Sequence, residues 1–571
     1  MNQNGWASDI HYLKPTFIKW GFRMIQYALN FCKKYKASFV LYIVVLVISM
    51  CCMIITPYFN GYFIDCLIQT ASMDIVVKLA IALMVIGFGG AIFSYFANMM
   101  CMKLLNRLSY DMENALIIHV QRLPYNEYIQ TFEPAYLSDR IRKDVSTLLG
   151  FILNNFIQVF TNFIMFFVTI YIIYRINVKV LLLMLVIAPV YLAIYIVLKK
   201  PYLNKCLEMK EKETVFFNKQ FQRLEYILEI KADSSYEKDR KRMNQSFGTY
   251  LHSVLSFGKI QYLYFSLDHI IKIIFQVCLL LIGGMEIINQ KLTVGQFSIL
   301  VVYFMNLINT MAFYFNLGSK KQEAEASYKR IQEITEMKEE TNGEDMVTAI
   351  NDISLDMVDY SYNKEDIQLV LADFCCDFRK NAIYILSGKN GTGKTTLLYL
   401  ITGILQELEN GSLKINGKEI ETLDMLNIRK DKISIFLQTN RGSDLAVREF
   451  LEMELELPFD TMISRIYEQQ LDHMFCSSHF NIHDYVDKKI NSLSGGEKQK
   501  VYLLKALLKD SELLILDEPS NHLDTETVDM LTEYMSKMKE NRIIIMSTHD
   551  SRLKKTADYC IDMEEGRIEA M

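Results

Sequence analysis

Residues 388–396 read GKNGTGKTT, and the pattern G-x-x-x-x-G-K-[ST] falls on Gly388, Gly393, Lys394 and Thr395. Glycines at these places let backbone N–H groups approach phosphate oxygens closely. Lys394 adds a positive point charge, and the Thr395 hydroxyl suits Mg2+. NAIYILSG before the loop reads as a strand and TTLLYLITGIL after it as a helix, which is the context a phosphate loop requires. Lys389, Asn390, Gly391, Thr392 and Thr396 complete the expected cradle. Downstream stand LSGGEKQ at 493–499, LLILDEP at 513–519 and STHD at 547–550. Together these stretches point to ATP binding and hydrolysis.

Upstream the composition changes. The chain has 571 residues, 51% of them hydrophobic, and only 8 prolines, so two or more domains are expected. Uncharged stretches run over 37–64, 79–102, 145–174, 180–198 and 292–319. Each is long enough for a helix to cross a hydrocarbon core, which needs roughly 20 residues. A sixth candidate, IIFQVCLLLIGGM at 273–285, is too short alone. It spans only if extended back through a stretch carrying Asp268, His269 and Lys272; otherwise it reads as a buried or re-entrant segment.

Charge distribution decides the count. The first 36 residues carry Lys14, Lys19, Arg23, Lys33, Lys34 and Lys36 against Asp9 alone. Segments 103–143 and 199–259 are also rich in Lys and Arg, whereas 65–78 and 286–291 are not. The positive-inside rule places the N-terminus and both long segments in the cytoplasm. The ATP-binding half must be there too, so the number of crossings is even: six. Residues 11–31 read as an amphipathic helix on the inner leaflet rather than a signal peptide. The 11 cysteines show no pairing pattern, as a reduced compartment implies. A net charge of −5 without a basic, aromatic-laced cluster gives no sign of a nucleic-acid partner.

This order of parts resembles the half-transporters of the ATP-binding cassette (ABC) exporter family, over nearly the whole chain. Residues 122–145 are similar to that family's first cytoplasmic coupling segment and 222–240 to its second. The resemblance implies an all-α polytopic membrane domain followed by an α/β P-loop NTPase domain with a helical subdomain. Expected boundaries are 1–36 for an N-terminal segment, 37–335 for the membrane domain, 336–349 for an acidic linker and 350–571 for the nucleotide-binding domain.

By the same resemblance, Tyr362 stacks on adenine, and Gln438 meets Mg2+ or the attacking water. Ser494, Gly495 and Gly496 hold the γ-phosphate of ATP bound to the opposite subunit. Asp517 reaches Mg2+ together with Thr395, Glu518 polarises the water, and His549 contacts the γ-phosphate. Asp524 belongs to a loop communicating between two ATP sites. Departures from the family pattern are Glu497 where glutamine is usual, Lys500 where arginine is usual, and VDKKINS before the signature.

The implied function is ATP-driven export of a hydrophobic or amphipathic compound or a small peptide. It is carried out by a homodimer, or a heterodimer with a second half-transporter, among membrane lipids. The implied location is a bacterial cell membrane, with both termini cytoplasmic. A ligand-sensing or channel-gating ATPase, or an importer on the exporter fold, stands as the alternative. Three smaller features stay open. His473, Cys476, His479 and His483 make either a soft-metal cluster or, more simply, solvated surface. Asn154, Asn155, Gln158, Thr161 and Asn162 line a pathway or bond to neighbouring helices. Asp268 and Lys272, four residues apart, form either a cavity-facing pair or a solvated contact.

Overall fold

A computed structural model describes residues 23–24, 26–28, 30–69, 72–132, 134–362, 369–438, 442–477, 480–564 and 567–570. Most of the helix expected over 11–31 lies outside them, and its described residues 23–24, 26–28 and 30–31 are helical. The chain divides into two compact units: Met1–Ile118 with Pro134–Glu336, and His119–Glu133 with Met337–Met571.

The first unit is helical. Its main helices are α1 (Lys36–Ile68), α2 (Met73–Gln121, whose last turn belongs to the second unit), α4 (Pro134–Gly150), α5 (Ile157–Ile176), α6 (Val178–Glu225), α7 (Ile227–Ala232), α8 (Tyr236–Ile288) and α9 (Val294–Thr335). A further short helix, α3 (Tyr125–Thr131), belongs to the second unit. Five helical stretches among the described residues are long and apolar enough to cross a membrane, and the run 180–198 heads the 48-residue α6. Helices suit that setting because they satisfy their backbone polar groups internally. Their outward faces carry exposed Val85, Phe88, Phe163 and Leu182, which fits lipid rather than water.

The fifth segment is not re-entrant. Helix α8 runs unbroken for 53 residues, which at 1.5 Å per residue is about 80 Å. It therefore supplies both an apolar stretch and a long polar extension. Asp268 and Lys272 pair on it at 2.8 Å, with side chains only 10% and 20% exposed, so the solvated-contact reading fails.

Packing centres on α9. Leu300, Tyr303, Phe304 and Ile308 are fully buried against Leu279 of α8, Ile173 of α5 and Val180 of α6. Helix α1 crosses the start of α9 so closely that a Cβ on Gly295 would lie 1.9 Å from the Gly61 carbonyl oxygen. There the Asp65 carboxylate accepts from Thr293 Oγ1 at 2.6 Å and from Gly295 N at 2.7 Å, capping a helix other than its own. Deeper along the unit, the buried Asp144 of α4 accepts a bidentate pair of hydrogen bonds from Arg330 of α9.

The polar stripe at 154–162 divides by role. Residues Phe151–Phe156 form a π-helical turn between α4 and α5. Asn154 accepts from Cys101 Sγ at 3.3 Å, and Asn155 from Lys320 Nζ at 3.1 Å. Thr161 and Asn162 instead donate to the Gln158 carbonyl one turn back. The first two bind across helices, and the last two are satisfied locally.

The second unit is α/β. Antiparallel strands β1 (Asp352–Tyr360), β2 (Leu371–Arg379), β4 (Asn410–Ile415) and β5 (Lys418–Glu419) form one sheet in the order β2-β1-β4-β5. The second sheet is built from β3 (Ala382–Ser387), β6 (Ile433–Phe436), β7 (Leu513–Asp517), β8 (Ile543–Ser547), β9 (Tyr559–Asp562) and β10 (Arg567–Ala570). Its order is β10-β9-β3-β8-β7-β6, parallel except for β10. Strands β7 and β8 are buried at every position, which explains why LLILD and IIIMS read as continuous apolar runs rather than alternating ones.

Helices Val447–Leu455 and Phe459–Glu468 pack with the signature helix into a subdomain around Phe450, Met462, Phe475 and Leu504. Within it, His473 is a surface side chain and His483 packs edge-on against Phe459. His479 lies outside the described residues, among which no metal-holding group of His, Cys, Asp or Glu occurs. The acidic run 336–349 is exposed at most of its positions, and several of its acids are nevertheless paired. Glu339 pairs with His119 and Arg122, Glu340 with Arg429, and Asp345 with Lys418.

Candidate ATP site

Four neighbouring parallel strands, β6, β7, β8 and β3, end on one edge of the sheet, and each is followed by one of the expected site residues. Ligands of parallel α/β sheets collect at such carboxyl ends. The phosphate loop leaves β3 and enters α10 (Lys394–Ile401). Gly393 there takes φ of 90°, and a Cβ on it would sit 3.0 Å from Leu371 and 3.1 Å from the Val370 carbonyl. Only glycine tolerates both the angle and the contact.

Lys394 is 9% exposed. Its ammonium donates to the Gly388 carbonyl at 2.7 Å and lies 3.1 Å from His549 Nε2. His549, following β8, is also 3.6 Å from the Glu518 carboxylate that follows β7. Lysine, histidine and glutamate therefore converge on one point. Glu518 holds a left-handed φ of 50°, a conformation that costs a side-chain-bearing residue roughly 1–2 kcal/mol. Its N–H is pinned by the Ser547 carbonyl at 3.0 Å and by Ser547 Oγ at 3.1 Å.

Ser547 does a second job by donating to Asp517 Oδ1, while Thr395 Oγ1 donates to Asp517 Oδ2 at 2.9 Å. Asp517 is 2% exposed, so its carboxylate is aimed by two hydroxyls. A buried carboxylate beside a hydroxyl is a hard-oxygen set that fits Mg2+. Ser547 was not singled out from the sequence; its place as the last residue of an apolar strand before Thr548 and His549 is the signal that marks it.

Other residues stand apart. Gln438 is exposed just beyond β6. Its carbonyl accepts from Gln499 at 3.4 Å, but among the described residues its side chain makes no hydrogen bond to Asp517 or Glu518. Tyr362 is half-buried, and its hydroxyl lies 3.0 Å from Thr396 Oγ1, which sets the ring beside the phosphate loop. The carbonyl of Tyr362 accepts from Asn126 at 2.8 Å and also from Gln130, both on α3. Tyr125 meets Tyr399 of α10 edge-on at 5.8 Å. The short helix α3, within the stretch that resembles the first coupling segment, thus touches both the Tyr362 loop and the helix behind the phosphate loop.

The signature turn starts α11 (Gly495–Leu508). Ser494 Oγ accepts from Glu497 N at 3.4 Å, and Glu497 returns the bond by accepting from Ser494 N at 2.7 Å. Glutamate and glutamine can both close this reciprocal cap, so Glu497 keeps the local geometry although it departs from the family pattern. The bonds from Ser494 hold the Glu497 carboxyl below its usual range. Ser494 and Gly495 are exposed. Nothing lies within 4 Å of a Cβ on Gly495, whereas one on Gly496 would meet the His522 carbonyl at 2.7 Å. Among the described residues no hydrogen bond joins this turn to the phosphate loop.

The profile of the ABC transporter transmembrane region matches residues 39–311, and the ABC transporter profile matches 371–521. The chain is an ABC exporter half-transporter. It is 22% identical over 535 residues to the lactococcin-A transport/processing ATP-binding protein LcnC of Lactococcus lactis, covering 90% of this chain and 72% of that one. It is 23% identical to a putative multidrug export ATP-binding/permease protein, YgaD of Bacillus subtilis, over 95% and 94% of the two chains. In fold it matches a solved bacterial Atm1-family ABC exporter with ATP bound, with a TM-score of 0.78, 14% identity and coverage of 93% and 95%. This exporter therefore spans the membrane, binds and hydrolyses ATP, and couples that hydrolysis to transport.

Proposed function

We propose that two such chains, identical or paired with another half-transporter, close around two ATP molecules and export a hydrophobic or amphipathic compound or a small peptide. The observation that carries the dimer is the exposed Ser494–Gly495 turn at the start of α11, remote in hydrogen bonding from its own phosphate loop. N–H groups at a helix start attract phosphate, and the exposed Ser494 side chain stands beside them at the same turn. The substrate class follows from relatives named for lactococcin transport and multidrug export.

In this reading, loop N–H groups and Lys394 hold the β- and γ-phosphates, and Tyr362 stacks on adenine. Thr395, Asp517 and Gln438 would hold Mg2+, which when bound offsets phosphate charge. Glu518 orients the attacking water, and His549 fixes the γ-phosphate beside it. Most of the catalysis is positioning and electrostatic stabilisation. The contacts of α3 with Tyr362 and Tyr399 carry nucleotide-dependent motion to the membrane domain. Both termini face the cytoplasm of a bacterial cell.

The test is ATP-dependent accumulation of labelled amphipathic compounds and peptides in proteoliposomes holding the protein with its ATP sites outward. Accumulation that vanishes in the Glu518→Gln protein supports export. ATP hydrolysis without movement of any compound in such a panel refutes it.

A further inference from the structure

Beyond their apolar stretches, α6 and α8 leave between them a cleft of about 840 Å³. Above it the helices are zipped by aromatic rings: Phe216 stacks on Tyr250 at 5.3 Å and tilts against Phe247 at 5.8 Å. Below that contact most of the facing positions are polar and the gap stays open. Five cations and two carboxylates line it. Arg223 is paired with Asp239, and Lys212 with Glu211 at 3.3 Å. Lys219 of α6, with Lys238 and Arg242 of α8, is exposed, and none of the three is in an ion pair among the described residues. Cations thus project from both walls with one further carboxylate, Asp233, to offset them. Such an arrangement raises a local positive potential that a multivalent anion would relieve.

We propose that this cleft binds a soluble phosphate-bearing polyanion that bridges α6 and α8. Lipid headgroups are out of reach. Lys219 lies about 20 residues beyond Leu198, where the apolar run of α6 ends, and so roughly 30 Å further along the helix. Phosphate is the fitting chemistry because its oxygens take charge-assisted hydrogen bonds from several lysine and arginine groups at once. The site has a consequence for the exporter. Ile230 of α7 lines the cleft, and α7 lies within the stretch that resembles the second coupling segment. An anion that draws α6 toward α8 changes the presentation of α7 and so adjusts the link between ATP hydrolysis and transport. Placing the cleft in the cytoplasm rests on the topology proposed above, whereas binding to the purified protein does not.

The probe is inositol hexakisphosphate, titrated calorimetrically into the full-length Glu518→Gln protein preloaded with Mg-ATP, so that the phosphate loops are already filled. Saturable binding is expected at low ionic strength, weakening at least about tenfold when salt is raised to roughly 0.5 M. The double variant Lys219→Gln/Arg242→Gln should weaken it by a similar factor, and the charge-preserving Lys219→Arg/Arg242→Lys should retain it. Absence of saturable binding at about 1 mM probe in low salt overturns the proposal, as it would if the partner chain filled the cleft. Undiminished binding in the glutamine variant overturns it too. So does an equal loss in the charge-preserving variant, because charge would then not be what holds the anion.

Discussion

Lys500 Nζ lies 2.6 Å from an Asp524 carboxylate oxygen. The pair ties α11, behind the Ser494–Gly496 turn, to the loop that follows Glu518. Lys500 is 8% exposed at its side chain and Asp524 49%, and Asp524 also caps α12 (Thr525–Met538) by accepting from Thr527 N at 2.8 Å. The lysine that stands where the family usually has arginine therefore still joins the helix of the signature turn to that loop.

Breaking that pair should cost stability. Burial alone would raise the Asp524 carboxyl, but hydrogen bonds from Lys500 and Thr527 outweigh it and hold the group well below the usual carboxylate range. A depressed carboxyl contributes stability above its unfolded value and loses it as pH falls through the folded one. Asp524→Asn should thus lose about 1–2 kcal/mol, discounted for the half-exposed acid. The deficit should stay constant from neutral to about pH 5 and shrink only in stronger acid. Thermal unfolding across pH checks this, and a deficit that already fades between pH 7 and 5 would refute it.

Glu518→Gln should lower turnover at least about a hundredfold, the scale expected when a positioned base is lost, while ATP binding persists. Lys394→Ala should instead weaken ATP binding itself, because its ammonium is buried at the loop. Nucleotide binding and single-turnover hydrolysis separate the two effects.

The paired glycines of the signature should behave oppositely. Gly496→Ala drives a methyl group to 2.7 Å from the His522 carbonyl, so unfolding free energy should drop by about 1–3 kcal/mol. Gly495→Ala meets nothing in its own chain and should leave stability within about 0.5 kcal/mol while reducing hydrolysis in the dimer. Wild-type hydrolysis in Gly495→Ala would argue against a partner's nucleotide approaching there.

Asn126→Ala combined with Gln130→Ala removes both donors to the Tyr362 carbonyl. ATP hydrolysis should continue while transport per ATP falls severalfold. Measured coupling ratios in proteoliposomes equal to those of the parent protein would show that α3 transmits nothing through this junction.

Cysteine labelling on a background stripped of native cysteines should reach positions near 288 only from outside, and positions near 128 and 235 only from the cytoplasm. The unbroken α8 makes this a sharp test, since a helix of 53 residues cannot return its end to the side it started from.

Much of this was legible in the chain because its signals are local. A strand, a glycine turn and a helix in immediate succession disclosed the phosphate loop, and acidic residues closing the apolar run LLILDE marked Asp517 and Glu518. The fifth membrane segment was harder. Asp268 and Lys272 interrupt its hydropathy, and only their mutual pairing within a buried helix face explains how the interruption is tolerated. The acidic linker is exposed, as its composition suggests, but composition cannot reveal that Glu339 and Glu340 have His119, Arg122 and Arg429 waiting for them.

The sequence by itself determined the order of the two units, the nucleotide chemistry and the membrane setting, because each depends on residues adjacent in the chain or on the average polarity of a long run. Only the tertiary structure decided which side chains share the site. The convergence of Lys394, His549 and Glu518, the aiming of Asp517 by Ser547, and the seating of α3 on Tyr362 join residues from 30 to more than 200 positions apart. The first two meetings are set by the order in which parallel strands lie side by side and the third by how distant segments pack, and no local pattern in the chain carries either.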